Sequence, residues 1–188
     1  ACSFDLTIKL TGTTGFQLCT LPAAGFPTDS FEIVPYSQLQ SRCGNHAILT
    51  DVIGHLHAIG GVGHQVTEFG PTPKQILVLE NHMGKTVTIT LWNELATVLD
   101  RVALIQADLI EPVIIAVGSL MVSLVNENYV CSSSSATRVA VNPHIPEAIH
   151  LATYFGGARD PVAELPVEFA TAEAAVADAE NRVRTIDD

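Results

Sequence analysis

The stretch KTVTITLWNEL, Lys85 to Leu95, alternates at the two-residue period of a strand. Val87, Ile89 and Leu91 fall on one face, and Thr86, Thr88, Thr90 and Trp92 on the other. The first face belongs to a core. The second places the only tryptophan of the chain among threonines, on the side that the strand does not give to the core. Upstream, KQILVLEN and the turn NHMGK supply the other arm of a hairpin. Downstream, NELATVLDRVALI carries Leu95, Val98, Leu99 and Val102 at a spacing that predicts a helix.

The neighbouring segments extend this plan. FEIVPY can extend, SQLQSR reads as a turn or one helical turn, and AILTDVIGHLHAI is a β-branched strand interrupted by Gly54. GGVGHQVTEFGPTP reads as a long glycine- and proline-rich loop. After the helix, PVIIAVGSLMVSLV is a buried strand, NEN a turn, and YVCSSSSATRVAV a strand with a serine-rich start. IPEAIHLATYF follows, with Ile149, Leu151 and Tyr154 expected on one helical face. A curved first strand, a hairpin, a helix and a second hairpin make a mainly β chain. With the helix between strands three and four, this is the plan of the five-stranded OB-fold, a partly open Greek-key barrel.

The expected organisation places the OB-fold domain at residues 31–155, between a linker at 21–30 and an acidic tail at 156–188. Residues 1–20 supply two strand-like pieces around the turn TGTTG, too few for a core of their own. No 20- to 50-residue repeat is visible.

The 188 residues are 47% hydrophobic and carry a net charge of −11. That balance argues against a general polyanion-binding surface but leaves room for a local groove. Residues 156–188 hold eight acids and three arginines, so nearly half of the excess sits in the tail. No apolar run reaches the ~18 residues that span a bilayer, and the first residues do not read as a secretory signal, so no membrane partner is expected. Cys2, Cys19, Cys43 and Cys131 form no CxxC pair, which points to reduced intracellular thiols rather than to zinc or redox chemistry. His55 and His57 lack a third ligand, Ser132 to Ser135 lie in no nucleophile motif, and Asp51 reads as a strand-entry residue. No cofactor, metal or enzymatic motif is indicated.

In OB-folds the outer face of strands two and three forms a groove where single-stranded nucleic acid stacks its bases on aromatic rings. Two readings of Trp92 therefore stand: a stacking platform, or a cap over one end of the barrel. The words VTITLWNELA, ILTDVIGHL and VIIAVGSLMVSLVNENYVCSSSSATRVAVNPHIPEA are ordered and distinctive. From Phe31 to Phe155 the chain resembles the second DNA-binding domain of the replication protein A large-subunit family, and its SSSSATRV wording most resembles the plant representatives.

The resemblance implies a nuclear, non-enzymatic module. It would hold single-stranded DNA with little sequence preference, alongside the other subunits of a replication protein A-like complex, in DNA replication, repair or recombination. Residues 1–20 would close a preceding OB domain, and the tail would lead to a further one. Trp92, with Thr90 beside it, matches one of the family's two stacking aromatics. The other falls on Val125, which can touch a base but not stack on it, and a basic position falls on Met121. Of the family's basic loop only His64 and Lys74 remain, with Tyr129 a candidate replacement ring and Lys85 and Arg138 the other candidate contacts. The alternative is a degenerate OB-fold that binds protein and has weak or no affinity for DNA.

Overall fold

A computed structural model describes residues 9–17, 30–45, 47–157 and 159–167. Most of the two strand-like pieces expected in residues 1–20, most of the 21–30 linker and most of the acidic tail lie outside these residues.

Eight strands are present among the described residues: β1 Thr50–Gly60, β2 Gly63–Thr67, β3 Gly70–Glu80, β4 Thr86–Trp92, β5 Ile114–Val125, β6 Asn128–Ser132, β7 Arg138–Val141 and β8 Ala163–Leu165. The helices are α1 Leu39–Arg42, α2 Arg101–Asp108 and α3 Pro146–Phe155. Strand β1 pairs with β3, β3 with β4, β4 with β6, β6 with β5, and β5 again with β1, so the ring closes. Only the β4–β6 pairing in this ring is parallel. This is the OB-fold barrel that the element order predicts, with the helical connection between its third and fourth ring strands.

The core follows from the alternation. Leu56 and Ile59 of β1, Leu77 and Leu79 of β3, Ile89 and Leu91 of β4, and Ile115 and Leu120 of β5 point inward and are fully buried. Each stabilises the fold by about 1.5–3 kcal/mol. A second, smaller cluster lies outside the ring, where Ala148, Leu151 and Phe155 of α3 cover Ile53, Ile114 and Ala116.

Closing the ring requires β1 and β5 to bend. At Ser119 the backbone adopts φ 61°, and the β1–β5 register shifts between Thr50 and Val52. The Asp51 carboxylate accepts the Ser119 amide at 2.8 Å and the Glu32 amide at 2.9 Å, so its role is structural, as its place at the strand entry suggests. Gly54 is equally constrained: a Cβ there would come within 2.5 Å of the Tyr36 hydroxyl and 2.8 Å of the Glu80 carbonyl oxygen. The glycine lets Tyr36 lie close to the strand and donate to the Ile53 carbonyl at 2.9 Å.

Several local expectations change. The stretch 60–73 is not a structureless loop; β2 and the start of β3 form a hairpin extension, because Val66 to Pro71 and Gln65 to Thr72 fall in register. The helix after β4 divides into a 3₁₀ turn, Asn93–Thr97, and α2. Asp100 restarts it by accepting the Val102 and Ala103 amides, which leaves Val98 and Val102 exposed while Leu99 and Leu104 are buried. In α3 the buried face is Ala148, Leu151 and Phe155, with Ile149 and Tyr154 in solvent. The strand expected over 129–141 is two strands, β6 and β7, separated by a serine corner.

The boundary drawn after Phe155 leaves out residues packed on the barrel. Strand β8 pairs parallel to the end of β1, and Val162 joins the main core. The Arg159 Nε donates to the buried Asp108 carboxylate at 3.2 Å, and its Nη2 donates to the Asp108 carbonyl oxygen. That carboxylate also accepts His55 Nε2 at 2.8 Å and the Val113 amide at 2.9 Å, while the His55 ring stacks on Phe155. Removing one partner of a buried charge costs about 3–5 kcal/mol. A chain ending at Phe155 is therefore expected to unfold at a clearly lower denaturant midpoint than one ending at Val167, by about 3 kcal/mol or more. Equal midpoints would show that residues 156–167 contribute nothing to the fold.

Candidate nucleic-acid interface

The outer face of the ring is built from register rows, since paired residues share a face. One end holds Lys74 opposite Trp92. The next row runs Ile76, Thr90, Ser132 and Met121, and the one after it Val78, Thr88, Val130 and Ser123. At the far end Glu80 faces Thr86, and Asn128 faces Val125. Six residue-to-residue steps lead from Thr86 to Trp92, so the face is about 20 Å long at ~3.4 Å per step. Its lining is mostly threonine, serine and aliphatic side chains, and within these rows Lys74 and Glu80 carry the only charges.

Trp92 is half-buried and firmly held. Its indole Nε1 donates to Ser132 Oγ at 2.8 Å, and its backbone amide donates to Ser133 Oγ at 3.0 Å. The Ser133 amide in turn donates to the Thr90 carbonyl at 2.9 Å. The serine run continues to the bend: Ser134 Oγ and Thr137 Oγ1 both donate to the Ser119 carbonyl, at 2.7 and 2.9 Å. The serines thus fix the tryptophan ring by one edge and the curvature of β5 at the same time.

The other predicted residues divide. Thr90 lies next to Trp92 on the same face, and Val125 lies on that face too, 49% exposed, at the opposite end. Lys74 is in register with Trp92, and its Nζ donates to Gln65 Oε1 at 3.0 Å. His64 pairs with Pro73, one residue out of phase with Lys74, and so takes the other face of the hairpin. Tyr129 pairs with Leu124 on the Cys131 side and packs against the barrel core, away from the face that carries Trp92. Arg138 pairs with Gly118 beyond the Ser119 bend, on the part of β5 approached by Phe31. Lys85 lies beyond the other end of β4, at a 290 Å³ apolar cavity walled by Tyr36, Ile53, Met83 and Leu151. The structure therefore brings Trp92, Thr90, Lys74 and Val125 to one face and sets His64, Tyr129, Lys85 and Arg138 apart from it.

Sequence reasoning overlooked Phe69, 90% exposed in the turn of the β2–β3 hairpin, because that stretch reads as a loop. It also overlooked Ile76 and Val78, whose outward position follows only from the register. His57 Nδ1 sits 3.3 Å from Glu80 Oε2, whereas His55 is buried against Asp108, and no group of three metal-ligating side chains occurs among the described residues. Burial pushes the Cys131 thiol up to about 12, which leaves it a neutral core group at physiological pH. No described helix is long and apolar enough to cross a membrane.

The chain is 30% identical over 131 residues to a 70 kDa DNA-binding subunit of replication protein A from Arabidopsis thaliana, covering 69% of this chain and 21% of that protein. It is 32% identical over 132 residues to a 70 kDa DNA-binding subunit of replication protein A from Oryza sativa subsp. japonica, covering 69% of this chain and 20% of the relative. The chain thus spans about one fifth of these relatives' length. Among solved structures, a replication protein A heterotrimer bound to ssDNA matches with a TM-score of 0.59 at 24% identity, over 82% of this chain and 35% of that one. That similarity shows the fold. No protein-family model matches the chain.

Replacing Ser132 by Ala removes the acceptor of the Trp92 indole without touching the core. The expected cost is about 0.5–1.5 kcal/mol, read from denaturant unfolding, together with a red-shifted Trp92 emission as the ring edge gains water. An unchanged emission maximum would mean that Ser132 does not hold the ring.

Proposed function

We propose that this OB domain, similar to those of the replication protein A large subunit, binds single-stranded DNA with little sequence preference. The domain serves as a non-enzymatic, nuclear component of a replication protein A-like complex acting in replication, repair or recombination. The observation that carries this reading is Trp92: an aromatic ring on the outer face, edge-bonded to Ser132, at one end of a neutral groove of threonines and aliphatic side chains. Such a ring stacks on any base, because every base has a π-face. The threonine and serine hydroxyls can exchange hydrogen bonds with base edges or sugars.

The groove is poor in positive charge, and that decides the character of binding. With Lys74 the one basic side chain in its rows, the salt dependence is set by one or two phosphate contacts, a slope of about −0.7 to −1.4 in log affinity against log salt. Stacking and apolar contact supply the rest. Met121 and Val125 also favour the second reading, an OB-fold that binds protein with little or no affinity for DNA. The two readings part on a titration of labelled oligo-dT at low and moderate salt: measurable binding with a shallow slope supports the first, and no binding at high protein concentration supports the second.

Trp92→Ala is expected to weaken oligo-dT binding by the worth of one stack, about 1–3 kcal/mol, while the domain stays folded and loses at least the ~0.5–1.5 kcal/mol of stability that the indole–Ser132 hydrogen bond supplies. Loss of fold instead would show that Trp92 caps the barrel. Val125→Phe adds a ring at an exposed groove position, so tighter binding of similar magnitude is expected with an unaltered melt. A drop in stability of about 1–3 kcal/mol, the cost of overpacking, would instead place residue 125 in the interior.

A further inference from the structure

Phe69 has no packing role that explains it. The ring is 90% exposed, in the two-residue turn between β2 and β3, where Thr67 pairs with Gly70. The turn that carries it is nevertheless well defined. Thr67 Oγ1 and Thr72 Oγ1 each donate to the Gly70 carbonyl at 3.1 Å, and the Phe69 amide donates to Thr67 Oγ1 at 3.2 Å. Gly70 takes φ 95°, which an L side chain rarely adopts, so the turn is specified at this position. A large apolar ring is thus presented to water on an ordered hairpin.

The hairpin is continuous with the groove. Strand β3 carries Lys74, opposite Trp92, and runs back from there to Gly70 beside the tip. Four residues of strand put the tip about 14 Å beyond the Trp92 row. The opposite end of the same face holds Val125, which offers no ring. Phe69 therefore stands at the tip of the hairpin that leads into the Trp92 row, and Val125 at the far end of the Trp92 face.

We infer that Phe69 is a second base-stacking residue, engaging a nucleotide beyond the one on Trp92 and taking up the function that Val125 cannot perform. This rests on the single-strand-binding reading of the groove. A nucleobase is the occupant that fits: the ring is flat and exposed, its hairpin runs into a groove suited to stacking, and the apolar surface beside it is limited to the Val66–Pro71 pair, too little for a protein partner to cover. Glu68 stands next to it, so the phosphate of that nucleotide must lie on the side away from the carboxylate.

The test compares the parent chain with Phe69→Ala, Phe69→Tyr and Trp92→Ala on an oligo-dT series of about 4 to 16 nucleotides, the range of OB-fold site sizes. Phe69→Ala is expected to weaken the longer oligonucleotides by about 5- to 150-fold, the worth of one stack. It should leave the shortest ones, which reach only Trp92, unchanged. Phe69→Tyr keeps the π-face and should bind like the parent. If Phe69→Ala binds every length as the parent does while Trp92→Ala is weakened, the inference fails and the groove reading stands. Equal losses in the Ala and Tyr variants would also overturn it. If the parent binds no oligonucleotide at any length, the groove reading falls and takes the inference with it.

Discussion

The carboxylate of Asp51, closing on the amide of Ser119, is the contact on which the rest of the barrel depends. Strand β5 has to belong to two parts of the sheet, pairing with β1 and β7 along its first half and with β6 along its second. A flat strand cannot do this. The bend at Ser119 leaves an amide and a carbonyl that the ladder cannot use, and buried unpaired groups of this kind cost about 1–3 kcal/mol each. Asp51 takes the amide, and the hydroxyls of Ser134 and Thr137 take the carbonyl. The ring closes because those groups are satisfied.

The same network ties fold to site. The serine corner that secures the bend also supplies Ser132 and Ser133, which hold the Trp92 ring and its amide. The distinctive words that carry the family resemblance are, by their contacts, words of the fold. In TDVIG, Asp51 pins the bend and Gly54 admits Tyr36. In NPHIPEA, Asn142 accepts the Ile114 amide through Oδ1 and donates its own amide to the Ile114 carbonyl, while Pro146 opens α3. Such words identify architecture more surely than they identify affinity.

A groove that is neutral, narrow in charge and long in aliphatic and hydroxyl side chains shifts the energetics of any single-strand complex from counterion release to stacking. That shift makes individual rings decisive. The far end of the face carries Val125 and no ring, so for any single-strand complex the position of each aromatic side chain matters more than the net charge of −11.

The sequence by itself determined the barrel plan, with its helix between strands three and four, and the alternation that sets Trp92 on the threonine side with Thr90. Period-two alternation in 85–95 and the β-branched runs on either side are local properties, and an alternating strand has only one way to bury its apolar face. It also pointed to the structural role of Asp51. It could not determine which of the scattered polar and basic residues share the groove. His64 and Lys74 differ only by register across a hairpin that reads as a loop, and Tyr129 turns inward because it pairs with Leu124. Arg138 falls beyond a bend that exists only once Asp51 meets Ser119, 68 residues away in the chain. The attachment of residues 159–165 depends likewise on a buried Asp108 and a free β1 edge that no local pattern announces. Faces within a strand are set by nearest neighbours, whereas the meeting of faces is set by pairing between distant strands, and that belongs to the tertiary structure alone.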